Sequence, residues 1–96
     1  MIIDFASKTA QDIYDGVFSR YASKIPKELH NKIRRLFDQI DSAYNINDLR
    51  SPPGNNLERL KGNLVGKWSI RINRQWRIIF SWKGNDASNV DVVDYH

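Results

Sequence analysis

Two arginines, Arg71 and Arg77, and one tripeptide, Asp94-Tyr95-His96, have the types and spacing that suit chemistry. Arg71 lies in a run where Trp68, Ile70 and Ile72 alternate with Ser69, Arg71 and Asn73. Arg77 lies in a second run, where Trp76, Ile78, Phe80 and Trp82 alternate with Arg77, Ile79 and Ser81. A period of two marks half-buried strands. If Ile70, Ile72, Trp76 and Ile78 face a core, Arg71 and Arg77 must share the opposite face. Two like charges there repel at some cost in stability, and an anionic ligand relieves it. A guanidinium offers phosphate a planar fork of donors. An imidazole such as that of His96 can act as acid or base near neutral pH. Tyr95 can stack on a base or hydrogen-bond a phosphate. Alternation puts Tyr95 on the face opposite Asp94 and His96 unless the strand has already ended, so the three converge only where the tail bends. Solvated strand arginines and a frayed tail are the plain alternatives.

Composition narrows the chemistry. The 96 residues contain no cysteine, which removes disulfides, thiolate metal sites and cysteine nucleophiles. Two histidines make a dedicated zinc site unexpected. Fifteen Lys and Arg stand against eleven Asp and Glu, a net charge of +4. The distribution says more than the sum: Arg50, Arg59, Lys61, Lys67, Arg71, Arg74 and Arg77 fall in one stretch whose only acid is Glu58. That concentrates positive field in the middle of the chain. The hydrophobic share of 41% and charged share of 27% fit a folded domain. No apolar run reaches membrane-spanning length, and the start, Met1-Ile2-Ile3-Asp4-Phe5, lacks a basic lead. A cytoplasmic protein without membrane association is expected.

The elements that must position these residues follow from periodicity. Ile2 to Phe5 reads as a first strand. Ala6 to Tyr21 reads as a helix with Ala10, Ile13, Tyr14, Val17 and Phe18 on one face, although Gly16 weakens its middle. A second helix starts at Pro26 and buries Ile33, Leu36, Phe37 and Ile40, with Ile25 and Leu29 on the same stripe. His30 within it reads as a surface or packed histidine. One short helical turn fits Asn45 to Leu49, and Ser51-Pro52-Pro53-Gly54-Asn55 must be a loop. Strands follow: Leu57 to Lys61, the two alternating runs joined by the turn Asn73-Arg74-Gln75, and Asn89 to Tyr95. The period-two placement of Trp68 and Trp76 favours core packing over RNA stacking; Trp82, at a strand end, is open. The whole predicts one α+β domain over residues 1–96. A two-helix hairpin packs on a mainly antiparallel sheet of four to five strands.

Three segments carry a family resemblance. Leu49-Arg50-Ser51-Pro52-Pro53-Gly54-Asn55-Asn56-Leu57-Glu58-Arg59-Leu60 resembles the central segment of HigB-type toxins, including the GraT-like branch. The run from Gly66 to Phe80 and the ending Val92-Val93-Asp94-Tyr95-His96 resemble the same family. The resemblance implies a RelE-like fold and a ribosome-dependent endoribonuclease that cleaves mRNA. It also implies a type II antitoxin partner of HigA-like, helix-turn-helix type. Operator DNA would be reached only through the antitoxin complex.

RNA is cut when a 2′-hydroxyl attacks the adjacent phosphate. A protein assists by removing that proton, neutralising charge on phosphorus and protonating the leaving oxygen, with no metal or other cofactor required. The resemblance implies that Arg77 meets the scissile phosphate, that Lys61 lies near the active site, and that Asp94, Tyr95 and His96 contribute to cleavage. Arg71, Arg74, Arg59 and Lys67 are the further candidates for holding RNA phosphates. Some HigB toxins carry histidine where this chain has Glu58, so Glu58 is either the base or, as favoured here, a structural or orienting residue. A basic RNA-binding or protein-interaction module without catalysis is the alternative to the ribonuclease.

Overall fold

The computed structural model describes residues 1–64 and 66–95. Ser7 opens helix α1 (Lys8–Asp15), its hydroxyl accepting the Ala10 N–H at 3.1 Å. Gly16 closes α1 in the left-handed region (φ 75°), and its N–H donates back to the carbonyls of Asp12 and Ile13. The helix is therefore shorter than its apolar stripe predicts. Once Gly16 turns the chain away, Val17 and Phe18 leave the core face and stand 50% and 61% exposed. Helix α2 (His30–Ser42) also starts later than Pro26, because residues 27–29 form a tighter 3₁₀ turn. Its buried face is Ile33, Leu36, Phe37 and Ile40, as the spacing predicts. The rings of Phe5 and Tyr14 pack against Phe37 at 5.3 and 6.0 Å. His30 is packed rather than exposed, with Nε2 3.0 Å from the Ile25 carbonyl.

Asn45 and Asp48 cap one another's backbone around a single turn (Ile46–Arg50) that buries Leu49. The proline loop then leads into four strands, β1 (Glu58–Arg59), β2 (Lys67–Arg71), β3 (Trp76–Lys83) and β4 (Asp86–Asp94). They lie in sequence order, and every neighbouring pair is antiparallel. The inward rows of the sheet, Ile70, Ile78, Phe80, Val90 and Val92, meet Ile13, Ile33, Phe37 and Ile40 of the helices. Trp68, Trp76 and Trp82 pack at the border of that core. This is the α+β architecture expected, with the helices on one sheet face and the other face open.

The strands differ from expectation as well. The first strand is reduced to two isolated parallel bridges, Ile2 to Ala87 and Phe5 to Val90. The cause is a bulge: the β3–β4 register shifts between Ile79 and Ser81, and Asn89 turns to φ 52°. Asp4 accepts the freed Asn89 N–H at 2.6 Å with its carboxylate, which interrupts the ladder at that point. β1 is also shorter than Leu57–Lys61, pairing only Glu58 with Ser69 and Arg59 with Trp68. Among the described residues no helix is long and apolar enough to cross a membrane.

Candidate active site

The open sheet face collects the residues that alternation turns away from the helices. Arg71 lies directly opposite Arg77, Ser69 opposite Ile79, and Glu58 opposite Ser69. Arg77 is nevertheless only 6% exposed. Its Nη1 donates to Ser69 Oγ at 2.5 Å, and its Nη2 to the Asn56 carbonyl at 3.4 Å. Glu58 Oε2 stands 3.6 Å from the same Nη1. Over the guanidinium lies the Tyr95 ring, 5.0 Å from ring centre to guanidinium carbon. Tyr95 is held there by its own N–H, which donates to the Gln75 carbonyl at 2.7 Å.

The clamp matters because arginine has a long side chain that loses much rotamer freedom when it grips a ligand. Here Ser69, Asn56, Glu58 and Tyr95 have already fixed it. Asn56, Glu58, Arg71, Asn73, Arg74, Arg77 and Tyr95 surround a concavity of about 370 Å³. Three guanidinium groups oppose one carboxylate there, so the hollow attracts anions. Phosphate fits this donor set, whereas a divalent cation would meet net positive charge. Among the described residues no three His, Cys, Asp or Glu side chains gather to hold a metal.

The candidates from sequence thus separate. Arg77, Arg71, Arg74, Glu58 and Tyr95 come together. Lys67 shares their face but lies at the other end of β2, with Nζ 3.5 Å from Ser81 Oγ. Arg59 turns to the helix side, where its guanidinium carbon is 5.7 Å from the Trp68 ring centre. Lys61 is exposed beyond β1 and is absent from the wall of the concavity. Asp94 lies where alternation sets it, apart from Tyr95: strand pairing puts it opposite Trp76, on the other face from Arg77, and it accepts from Gln75 Nε2 at 3.1 Å. His96 lies outside the described residues.

Ser69, Asn56 and Asn73 were missed in the sequence. Ser69 had a legible signal, since it shares the alternation of Arg71 and supplies a small hydroxyl where a larger side chain would displace Arg77. Asn56 adopts φ 45° in a loop, and Asn73 Oδ1 builds the β2–β3 turn by accepting from the N–H groups of Gln75 and Trp76. No periodicity marks such positions.

The family described as RelE-like toxin of type II toxin–antitoxin system HigB matches residues 3–96. The chain belongs to that family. This HigB-family chain is 38% identical over 89 residues to Toxin HigB-1 of Vibrio cholerae, spanning 93% of this chain and 92% of that one. It is 34% identical over 74 residues to Endoribonuclease HigB of Proteus vulgaris, spanning 77% and 79%. Among solved structures, the toxin–antitoxin YoeB–YefM complex from Staphylococcus aureus matches with a TM-score of 0.62 at 27% identity, covering 100% of this chain and 95% of that one. The YoeB dimer from the same organism matches with a TM-score of 0.61. The resemblance read from three motifs is borne out over residues 3–96, and the α+β fold with it.

Proposed function

We propose that this HigB-family toxin is an endoribonuclease that cleaves messenger RNA on the ribosome by metal-independent acid–base chemistry. The observation that carries the reading is Arg77, buried, clamped from both sides and turned toward a hollow lined by two further arginines. In the reaction the 2′-hydroxyl loses its proton and its oxygen bonds to the adjacent phosphorus. The bond from phosphorus to the 5′-oxygen breaks, and that oxygen takes up a proton. The products are a 2′,3′-cyclic phosphate and a 5′-hydroxyl. Arg77, with Arg71 and Arg74, stabilises the extra negative charge that builds on the phosphate. Tyr95 offers a ring against which a base stacks. Glu58 orients Arg77, and His96 serves the proton transfers.

A toxin of a type II system works against an antitoxin, and the similar Staphylococcus aureus toxin YoeB was solved in complex with YefM. The partner inferred here is HigA-like, with a helix-turn-helix domain that brings the complex to operator DNA. Action on ribosomes places the protein in the cytoplasm.

Mapping mRNA 5′ ends after a brief pulse of expression tests the reading. Cuts at fixed codon positions, absent for Arg77→Ala, are expected. A folded wild type that leaves messages intact would overturn it in favour of a basic RNA-binding module.

A further inference from the structure

A second concavity, of about 540 Å³, runs between α2 and the proline loop. Lys32, Arg35 and Asp38 stand on its α2 wall, Pro52 on its loop wall, and Arg71 at its end. Arg71 also lines the hollow around Arg77, so the two share a wall. The reason is the brevity of β1. Its pairing stops at Ser69, which leaves the end of β2 uncovered on that edge, and Arg71 borders both sides.

We propose that this groove is a second phosphate subsite that holds the messenger strand beside the scissile phosphate, with Arg35 as its principal contact; this rests on the ribonuclease reading above. Lys32 donates to the Ile72 carbonyl at 2.5 Å, which fixes its ammonium at the end of the groove nearest the β2–β3 turn. Arg35 is exposed, and among the described residues its guanidinium has no hydrogen-bonding partner. Lys32, Arg35 and Arg71 outnumber the single acid, Asp38, so the groove continues the positive field of the hollow. A protein segment would find only Leu36 and Pro52 as apolar side chains on the wall, and Leu36 is almost wholly covered already. The shared Arg71 favours the message over ribosomal RNA. A strand whose phosphate sits between Arg71 and Arg77 carries its neighbouring phosphate on the same backbone, beside the wall that Arg71 shares with the groove.

The test uses programmed ribosomes and the intact toxin, comparing wild type with Arg35→Ala and Asp38→Asn. Both positions are exposed, so folding is undisturbed. For Arg35→Ala the half-saturating concentration should rise about fivefold with the maximal rate unchanged, and the salt slope of binding should fall by about one. Asp38→Asn should move half-saturation the other way, which loss of structure would not do. Shortening the message on one side of the cut should abolish the difference between wild type and Arg35→Ala. A difference that survives shortening on either side assigns the contact to ribosomal RNA and overturns the proposal. Equal half-saturation for all three proteins also overturns it, as does an Arg35→Ala defect confined to antitoxin capture. A wild type that cuts nothing would instead count against the ribonuclease reading itself.

Discussion

Arg71 and Arg77 are direct cross-strand partners at the last rung of the β2–β3 ladder. Like charges so placed destabilise a sheet, and each is tethered to a different neighbour, Arg71 Nε to the Asn73 carbonyl at 3.3 Å and Arg77 Nη1 to Ser69. Arg71→Gln should therefore raise folding stability, by about 0.2–1 kcal/mol, while it weakens cleavage. Urea unfolding and single-turnover cutting measured side by side would reveal the trade. A variant both less stable and fully active would contradict it.

Arg77→Lys keeps the charge and gives up the fork. A lysine ammonium cannot meet Ser69, the Asn56 carbonyl and a phosphate together with the planar geometry that arginine provides. Cleavage should fall by about 10²–10³-fold, the loss typical of removing one preorganised donor from a developing anion. Circular dichroism should show the fold retained. Near-wild-type rates would mean that charge alone suffices.

Ser69 and Glu58 should separate by the kind of damage they cause. Ser69→Ala removes the floor under Arg77, so the maximal rate should drop about tenfold with half-saturation little changed and stability lower by about 1 kcal/mol. Glu58→Gln should leave the shape of the pH–rate profile intact, as expected of an orienting residue. A profile that loses its acidic limb would instead make Glu58 the general base.

Asp12 gives a pH signature remote from the site. Ser19 Oγ donates to its Oδ2 at 2.6 Å and Lys8 Nζ stands 3.0 Å from its Oδ1. The Ser19 hydrogen bond, then Lys8, holds the carboxyl below its ordinary value of 3.8 against the opposing effect of burial. The unfolded chain thus binds this proton more readily. The stabilisation is complete above the unfolded value and is lost as pH falls through the depressed folded one. The gap in urea midpoint between wild type and Asp12→Asn should be widest near neutrality and should shrink as the pH falls below 3.8. A constant gap would show that Asp12 acts through packing alone.

Much of the site could be read from alternation, because a strand leaves its side chains no choice of face. The shared face of Arg71 and Arg77, the separation of Tyr95 from Asp94, and the core position of Ile70 and Ile78 all follow from it. Helix limits were less legible. Val17 and Phe18 continue the apolar stripe, yet one residue, Gly16, decides that the chain turns first. The floor and rim of the hollow were hidden for another reason. The alternation of Ser69 with Arg71 gives its face but not the arginine it supports, and Asn56 and Asn73 act through local backbone geometry that composition does not encode. Arg59 and Lys61 looked equivalent to Arg71 by charge, and only the register of the short β1 separates them.

The parallel bridges to β4 set an order of assembly. Asp4 and Asn89 are separated by 85 positions, and Ile2 reaches Asp41 Oδ1 across 39 at 2.8 Å. The β3–β4 hairpin needs far smaller loops, since Trp82 already faces Ala87. Closing long loops forfeits more chain entropy than closing short ones. Residues 1–6 should dock last and open first, exposing the Ala87 and Val90 amides to hydrogen exchange while β3 still holds β4. The arginine face proposed to meet phosphate is then ready before the fold has fastened its far edge.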